Sequence, residues 1–503
     1  MSGPFAFARL LAAVWVLARA DAILPRELEP VLPVPVRWLG RLLRLLASPA
    51  ARKGRPGERL ARALERLGPV AIKLGQVLST RADIFGRTFV DDLSHLKDRL
   101  PPFPTAVARA LVAAELDRPL EDLFISFGEP IAAASIAQAH PAVLIDGRKV
   151  AVKVLRPGVE RRVARDVAAL RLAGRLAAKA GPQARRLEPE ALTETVARSL
   201  LLELDLRLEA AGASELGEIM AGDGFMTAPK VIWSGVGKRV LTLDWAMGMP
   251  LSDPAATDQP GLDRKAVADN LIRAFLSQAM DHGVFHADLH EGNLFVAAPD
   301  RIEAVDFGII GRLDHVARRH LAEILWGFLQ RDYRRVAKAH FDAGYVPRHH
   351  SLELFAQALR AVGEPNVGQP AASVSMGRLL GLLFEITALF DMRLRPELVL
   401  LQKTMVTVEG VARRIDPDHN LWASAEPVVR RWIMRELSPA ARAKELAQEG
   451  LQALRALARL AEAEADKPAP RRPPNPWPGR AIGFALGAAA MGAAWLVWVH
   501  GGG

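Results

Sequence analysis

The residues with the clearest chemistry lie in two short segments in the middle of the chain. Residues 286–293 read HADLHEGN, and Asp306 begins an Asp-Phe-Gly triplet after the apolar stretch Ile302–Val305. Asp288 precedes Asn293 by five residues, and Asp306 follows Asn293 by 13. Phosphoryl transfer needs a carboxylate that faces the acceptor, and an amide and a second carboxylate that hold magnesium. The order and spacing therefore predict a kinase-type loop, with Asp288 catalytic and Asn293 and Asp306 as magnesium ligands.

Two histidines in the same segment offer an alternative. His286 and His290 stand four residues apart, a spacing at which two side chains on one helix could hold a metal ion. Neither a third ligand nor a helical pattern accompanies them. A structural role for both histidines is therefore favoured over metal binding.

A lysine and three carboxylates upstream could complete such a site. Val150–Val154 reads VAVKV, an alternating strand whose one lysine, Lys153, would place an ammonium on nucleotide phosphates. A leucine-rich helical segment downstream supplies Glu203, Asp205 and Glu209. On one continuous helix, at about 100° per residue, Asp205 and Glu209 share a face, whereas Glu203 lies about 120° from Glu209. Two different roles are plausible, although any one of these carboxylates could be a solvated helix charge.

The loop expected over the phosphates has an unusual composition. Where a protein kinase has a glycine-rich loop, residues 131–140 read IAAASIAQAH, with Ala132, Ala133, Ala134 and Ser135 at its centre. Alanine removes the positive-φ freedom that glycine gives to such a loop. The alanine-rich loop therefore argues against an ordinary protein-kinase activity.

With this loop, the chain resembles the UbiB family of atypical kinase-like proteins over most of residues 60–440. The family's lysine–x–glycine–glutamine motif stands at residues 73–76 (KLGQ), and its glutamate–x–aspartate motif stands at residues 203–205 (ELD). The same resemblance includes Lys153, Glu209 and the two catalytic segments.

Two departures from the family pattern affect loops. Ala137 replaces a usual glycine after the alanine stretch, and Leu289 and Glu291 replace usual prolines in the catalytic loop. These changes bear on the conformation of the loops, whereas the magnesium ligands are unchanged.

The resemblance implies a role for each motif. It implies ATP and magnesium as cofactors, with nucleotide contacts from Ala132, Ala133, Ala134, Ser135, Lys153 and Glu209, and regulatory roles for Lys73, Gln76, Glu203 and Asp205. It also implies that residues 69–81 form a helix over the nucleotide cleft, where a protein substrate would otherwise lie. Lys73 would then pair with Glu203 while Glu209 engages Lys153.

The residues of this segment also have a simpler interpretation. Pro69 after Gly68 is typical of a helix start, and Lys73, Gln76 and Thr80 follow one side of that helix. A polar stripe of this kind is usually a solvated face.

The resemblance further implies a function. UbiB-like proteins are implicated in ubiquinone biosynthesis and act as ATPases at membranes. The expected partners are therefore membrane lipids, polyprenyl quinone precursors and ubiquinone-biosynthesis enzymes. Two alternatives stay open: a true kinase for a small molecule or protein, which the alanine loop opposes, and a non-catalytic scaffold, which the intact magnesium ligands oppose.

Composition narrows the partner classes. The chain has 503 residues, 66 Lys+Arg against 56 Asp+Glu, a net charge of +10, and no cysteine. The lack of cysteine excludes disulfide frameworks, thiolate metal sites and cysteine nucleophiles. The basic surplus favours an anionic partner. Because only 6% of residues are aromatic and no nucleic-acid-binding signature is present, membrane lipid is favoured and nucleic acid is not expected.

The C-terminal end predicts a membrane anchor. Ala481 to Val499 is an uncharged run of 19 residues, about 29 Å long as a helix and enough to span a bilayer. Trp477 and Trp495 lie near its two ends, and basic residues such as Arg480 lie only on its N-terminal side. This asymmetry predicts a cytoplasmic catalytic body at the cell inner membrane. A buried soluble helix is the alternative, because leucine and isoleucine are few.

The N-terminal end gives a weaker signal. Leu10, Leu11, Val14 and Leu17 suit an amphipathic helix, and no persuasive signal peptide is present. Docking of this helix to lipid and packing as a solvated protein helix are equally consistent with the sequence.

Together these features predict an α+β, two-lobed protein-kinase-like fold with an N-terminal helical extension and a C-terminal transmembrane helix. The predicted domains are the extension with the KxGQ motif (1–110), a kinase-like N-lobe (111–247), a kinase-like C-lobe (248–440), a helix (441–466), a proline-rich linker (467–479) and a transmembrane helix (480–500). The predicted strands are Ala142–Ile145, Val150–Leu155, Lys230–Ile232, Val240–Leu243, Leu294–Val296 and Ile302–Val305. A homodimer is left open.

Overall fold

The computed structural model describes residues 3–23, 38, 40–41, 46–47, 54–79, 87–94, 101–179, 188–364, 386, 389–392 and 396–436. The helices are α1 (Gly3–Arg19), α2 (Pro56–Leu67), α3 (Pro69–Leu78), α4 (Arg87–Ser94), α5 (Thr105–Leu116), α6 (Val159–Ala178), α7 (Pro189–Glu203), α8 (Leu206–Asp223), α9 (Arg264–Ser277), α10 (His315–Leu329), α11 (Tyr333–Asp342), α12 (Leu352–Gly363), α13 (Pro396–Ile415) and α14 (Leu421–Glu436). The strands are β1 (Phe124–Phe127), β2 (Ala132–Ala133), β3 (Ala137–Leu144), β4 (Lys149–Leu155), β5 (Val240–Asp244), β6 (Met249–Pro250), β7 (Val284–His286), β8 (Leu294–Ala297), β9 (Arg301–Ala304) and β10 (Ile310–Arg312).

A five-stranded antiparallel sheet forms the first layer of the fold. Its order is β1–β3–β4–β5, and β2 pairs with β3. Strand β4 alternates as its sequence predicts: Val150, Val152 and Val154 are fully buried in a core that includes Ala108 of helix α5, and Lys153 points to the opposite face. The predicted boundary between residues 110 and 111 falls inside α5.

Most of the predicted strands are confirmed. Those at residues 150–155 and 240–243 lie within β4 and β5, and the one at residues 142–145 overlaps the end of β3, which stops at Leu144. The predicted strand at residues 230–232 is wrong as a strand, because only an isolated bridge joins Val231 to Leu243. Backbone hydrogen bonds join Ile232 to Thr242 and Asp244 to Lys230, but a 3-10 turn begins at Trp233 and no strand forms.

Two small antiparallel sheets hold the two predicted catalytic segments. Strands β8 and β9 are the two predicted in this region, and they join β6 in one sheet. Strands β7 and β10 form the other, with His286 opposite Ile310. Each has three residues, which is too short for a periodic pattern to identify in a sequence.

Helix α3 begins where its sequence predicts. Gly68 has a φ of 100°, which glycine adopts without strain, and Pro69 is the first helical residue. The helix ends at Leu78, and residues 80–86 lie outside the described part of the chain. Val70 is buried in a core with Val196 and Leu200 of helix α7. This packing brings one side of α3 against α7.

Helix α1 is held against helix α6 and has an exposed apolar side. The Arg9 guanidinium donates two hydrogen bonds to Asp166, at 2.6 and 3.1 Å. Phe7, Leu11 and Trp15 repeat every four residues and are more than half exposed. The expected helix is therefore present, and of the four leucine and valine residues predicted to form its apolar face only Leu11 is among these exposed side chains.

Helix α14 is joined to the π-helical turn Gln278–His282 that follows α9. Trp432 is buried and donates its indole N–H to the carbonyl of Met280 at 2.8 Å. Arg431 and Arg435 both pair with Asp281, at 2.9 and 2.8 Å. The end of this helix is thus tied to the segment that leads into β7.

None of the described helices combines the length and apolarity that crossing a bilayer requires. The predicted helix at 441–466, the linker at 467–479 and the transmembrane helix at 480–500 lie outside the described residues. They stay predictions.

Candidate functional site

The loop after β7 places Asp288 and Asn293 on one turn. The Asn293 side-chain amide donates a hydrogen bond to the Asp288 carbonyl at 3.0 Å. Because the amide nitrogen is used in this way, the Oδ1 atom of Asn293 is the one suited to bind a cation. The backbone N–H of Val305 donates to the Asn293 carbonyl at 2.9 Å. The two predicted catalytic segments therefore meet, and Asp306 follows directly on this contact.

His286 joins the same two segments from inside the core. Its Nδ1 accepts a hydrogen bond from the Asp288 backbone N–H at 3.1 Å, so its Nε2 carries the proton and donates to the Val305 carbonyl, also at 3.1 Å. The backbone N–H of His286 donates to Gln278 at 3.0 Å. Burial lowers the pKa of His286, which keeps the ring in the neutral form that these bonds require. The structural role favoured from the sequence is confirmed.

His290 also has a structural role. Its Nδ1 accepts a hydrogen bond from the Gly292 backbone N–H at 3.0 Å and caps a short 3-10 turn. Across the part of the chain that the structure describes, the one group with metal-ligand spacing is His349, His350 and Asp391, in which Asp391 is 70% exposed. Neither catalytic-loop histidine belongs to it.

Asp306 has a left-handed backbone conformation, with φ at 62°. This region is sparsely populated by residues other than glycine and is often found at functional sites. Phe307, the next residue, is buried and lies 5.1 Å from the His286 ring. These contacts turn the Asp306 carboxylate toward strand β4.

Helix α8 approaches the same segment closely because residue 212 is glycine. A Cβ atom at Gly212 would lie 2.3 Å from Ile310 and 3.6 Å from the Phe307 carbonyl. The sequence prediction missed Gly212 and Gln278, because their local sequence does not show which segments they approach. A run of small residues around Gly212 was the only available signal.

Lys153 lies between two carboxylates. Its Nζ donates to both oxygens of Glu209, at 2.7 and 2.9 Å, and lies 3.2 Å from Oδ1 of Asp306. Burial alone would lower the pKa of Lys153, but Asp306 and Glu209 outweigh it and raise the pKa. Lys153 in turn lowers the pKa of Asp306, whereas burial raises that of Glu209. The ammonium and the Asp306 carboxylate are therefore charged at neutral pH.

The helix that carries the three upstream carboxylates is not continuous. Helix α7 ends at Glu203, and helix α8 begins at Leu206 with Asp205 as its N-cap. The Asp205 carboxylate accepts a hydrogen bond from the Arg207 backbone N–H and pairs with the Arg207 side chain at 2.6 Å. Aspartate favours this capping position, which interrupts the helix. The predicted common face of Asp205 and Glu209 is therefore wrong.

Lys73 of helix α3 forms an ion pair with Glu203 at the end of α7. Both side chains are mostly buried, with 11% and 19% of their surfaces exposed. This pair and the Lys153–Glu209 pair are the two contacts expected from the sequence, and both are confirmed. The regulatory role of Gln76 stays a prediction.

The alanine-rich loop is a tight hairpin. Ala132 and Ala133 pair with β3, and the Ala134 N–H donates to the Ala137 carbonyl at 2.8 Å. The Arg156 guanidinium donates to the Ala134 carbonyl at 2.9 Å. Ser135, in the turn, is buried.

Ala137 ends this hairpin inside the core. It is 1% exposed and shares a cluster with Leu155, Val159 and Val163. A methyl group therefore fits where the family pattern has glycine, and no residue from 132 to 137 has a positive φ.

Comparison of the sequence with known proteins identifies its family. The ABC1 atypical kinase-like domain matches residues 95–340, and the UbiB helical domain matches residues 359–420. The chain is 37% identical to a "Probable protein kinase UbiB" from Marinobacter nauticus, over 87% of this chain and 81% of that one. It is also 37% identical to the protein of that name from Pseudomonas paraeruginosa, over 98% and 97% of the two chains.

A solved structure shows the same fold. The complex of Rv3197 with erythromycin from Mycobacterium tuberculosis matches with a TM-score of 0.51 at 22% identity, over 73% of this chain and 93% of that one. At this identity the likeness concerns the fold alone. The relatives, the two matched domains and the kinase-like α+β fold lead to one conclusion: this chain belongs to the UbiB family of ABC1 atypical kinase-like proteins.

Proposed function

We propose that the chain is an atypical kinase-like ATPase that uses Mg-ATP in the cleft between β4, α8 and the catalytic loop. The observation that carries the proposal is the convergence of Lys153, Glu209 and Asp306, with Asn293 tied to the Asp306 segment through Val305. These residues come from distant parts of the chain, and their types match the needs of phosphoryl transfer.

The donor set fits magnesium and a polyphosphate. Asp306 and Asn293 offer a carboxylate and an amide oxygen, and magnesium prefers oxygen ligands. Lys153 keeps an ammonium at the same place, where it can contact phosphate oxygens. When bound with ATP, magnesium would neutralise phosphate charge during transfer of the terminal phosphoryl group.

Asp288 is assigned the acid–base role. Its carboxylate is 40% exposed at the open side of the loop, and its backbone N–H is held by His286. A carboxylate placed in this way can accept a hydrogen bond from an attacking water and take its proton. The water oxygen then bonds to the terminal phosphorus as the bond to the ADP oxygen breaks, which gives ADP and phosphate.

Helix α3 favours hydrolysis over transfer to a protein. Lys73 ties this helix to Glu203 at the end of α7, directly before the helix that carries Glu209. A helix held there would occupy space that a bulky acceptor needs. A true kinase acting on a small molecule is the second candidate, and the intact set of Asp288, Asn293 and Asp306 favours it over a non-catalytic scaffold.

The proposal is tested by measuring ADP release and phosphate transfer in parallel. The full chain is incubated with Mg-ATP, with and without anionic phospholipid vesicles that contain a polyprenyl phenol, and with candidate protein acceptors. We expect magnesium-dependent ADP release that exceeds phosphate transfer to any acceptor. Stoichiometric transfer would support a kinase instead, and absence of nucleotide binding and turnover in every condition would support a scaffold.

The biological setting is proposed on the family. ATP hydrolysis would assist ubiquinone biosynthesis at the cytoplasmic side of the inner membrane, by acting on polyprenyl quinone precursors or on the enzymes that modify them. Membership of a family whose relatives are named UbiB supports this setting. The exposed side of helix α1, with Phe7, Leu11 and Trp15, is also consistent with a nearby lipid surface.

The membrane anchor is tested by truncation. Removing residues 480–503 is expected to move much of the protein from the membrane fraction to the soluble fraction, because the apolar run from Ala481 to Val499 is lost. The measurement is fractionation of cells that express either chain, followed by a high-salt wash. A truncated chain that sediments fully with membranes and resists salt would place the anchor elsewhere, and a Phe7→Ser/Leu11→Ser/Trp15→Ser variant would then test helix α1.

A further inference from the structure

Helix α13 lies against the catalytic loop, although it is more than a hundred residues away in sequence. The Thr404 hydroxyl is buried and lies 3.0 Å from the carbonyl of Ala287, the residue before Asp288. Further along the same helix, Arg414 forms an ion pair with Glu291. Two contacts from one helix therefore hold the loop on both sides of Asp288.

Lys403 is the residue before Thr404 on helix α13, so its backbone lies near the catalytic loop. Its side chain is solvent-accessible, and no carboxylate among the described residues lies within ion-pair distance of its ammonium. Desolvation by the surrounding protein lowers the pKa of Lys403, Asp288 acts to raise it, and Lys73 acts to lower it. The geometric basis is the neighbouring residue, since the contact of Thr404 with Ala287 brings this part of helix α13 to the loop that carries Asp288.

The other two lysines of the cleft are already paired with carboxylates. Lys153 is engaged by Glu209 and Asp306, and Lys73 is engaged by Glu203. Residues 287–293 of the catalytic loop, ADLHEGN, contain neither lysine nor arginine. His290 of this loop lies 3.7 Å from the Asp288 carboxylate, and its other ring nitrogen caps the turn at Gly292. A lysine or arginine next to Asp288 must therefore come from another element, and α13 carries Lys403.

We propose that Lys403 is a binding residue that contacts the terminal phosphate of the nucleotide. The proposal rests on the proposed function, because it takes Asp288 to face the phosphoryl group that is transferred. Because the Thr404–Ala287 contact brings this part of helix α13 to the loop that carries Asp288, the Lys403 ammonium could donate to the terminal phosphate oxygens, whereas the phosphates shared by ATP and ADP would lie toward Lys153. The expected result is selectivity for ATP over ADP.

The test compares the two nucleotides in variants of the full chain. Isothermal titration calorimetry measures the dissociation constants of Mg-ATP and Mg-ADP for the parent, Lys403→Met and Lys403→Arg. A hydrogen bond to a charged group contributes about 1.5–3 kcal/mol, which corresponds to a loss of about 10- to 100-fold in affinity. We expect Lys403→Met to weaken Mg-ATP by this factor and to change Mg-ADP by no more than about twofold. Lys403→Arg should restore most of the affinity for Mg-ATP.

Two controls distinguish loss of the Lys403–phosphate contact from the loss of any surface lysine and from loss of stability. Lys338→Met removes a lysine that is 69% exposed and paired with Asp342, and it should leave both affinities unchanged. The melting temperature of Lys403→Met should match that of the parent, because the substitution breaks no ion pair among the described residues.

Three outcomes would contradict the assignment. Unchanged Mg-ATP affinity in Lys403→Met would place the ammonium away from the terminal phosphate. Equal weakening of Mg-ATP and Mg-ADP would mean a general electrostatic effect. A parent chain that binds neither nucleotide would overturn the proposed function, and this inference with it, so the two failures are distinguishable.

Discussion

Asp306→Asn is expected to abolish magnesium-dependent nucleotide binding. The substitution keeps the size of the side chain and removes the charge that a hard divalent cation needs. Of the two proposed magnesium ligands, Asn293 alone would be left, and its amide oxygen is neutral. The measurement is a thermal-shift titration with ATP in the presence of magnesium or of a chelator. The parent should be stabilised by Mg-ATP, and the variant should show no magnesium-dependent stabilisation.

The control for this experiment is a carboxylate of the same type outside the cleft. Asp342 is 54% exposed and pairs with Lys338 one helical turn away. Asp342→Asn should therefore respond to Mg-ATP as the parent does. Full stabilisation of Asp306→Asn by Mg-ATP would remove Asp306 from the metal site.

Lys73→Ala is expected to destabilise the protein and to change its catalysis. The substitution leaves Glu203 mostly buried without its cation, and a lost charged hydrogen bond of this kind costs about 2 kcal/mol. Loosening of helix α3 should also open the cleft to larger acceptors. We therefore expect a lower melting temperature, altered ATP turnover and gained self-phosphorylation, with ubiquinone synthesis impaired in a strain that depends on this chain.

A matched lysine distinguishes this effect from the loss of any ion pair. Lys338→Ala breaks a pair whose members are 69% and 54% exposed, and such pairs contribute less than about 1 kcal/mol. Nucleotide affinity, ATP turnover and self-phosphorylation are compared in the three proteins. If Lys73→Ala behaves as Lys338→Ala does in all three assays and restores ubiquinone levels in a deficient strain, Lys73 is an ordinary surface lysine.

The part of the candidate site whose residues are close together in the chain could be predicted from the sequence. Asp288, Asn293 and Asp306 lie within 19 positions, and short turns and the β8–β9 hairpin connect them. Local geometry therefore determines most of their relative placement. Lys153 was predictable for a similar reason, because a single lysine in an alternating apolar strand must face away from the core.

The pairs Lys73–Glu203 and Lys153–Glu209 are predicted correctly, but the prediction assumes one continuous helix. Glu203 and Glu209 were separated by their angles on one helix, but the chain breaks between them at Asp205. Capping of α8 by Asp205 is itself a local effect, and aspartate before an apolar helical segment is a known start signal. The leucine-rich pattern continues on both sides of Asp205, and it therefore indicates one continuous helix instead of a new start.

Taken alone, the sequence determined the family, the catalytic segments, the central strands and the start of helix α3, because each depends on residue types at short and regular spacing. Only the tertiary structure decided that Gln278 and His286 hold the loop, that Gly212 lets α8 approach Phe307, and that α13 brings Thr404 to Ala287, the residue before Asp288. The residues that these contacts join lie from eight to more than a hundred positions apart in the chain. Such approaches are set by packing of whole helices against the small sheets, and no local pattern encodes them.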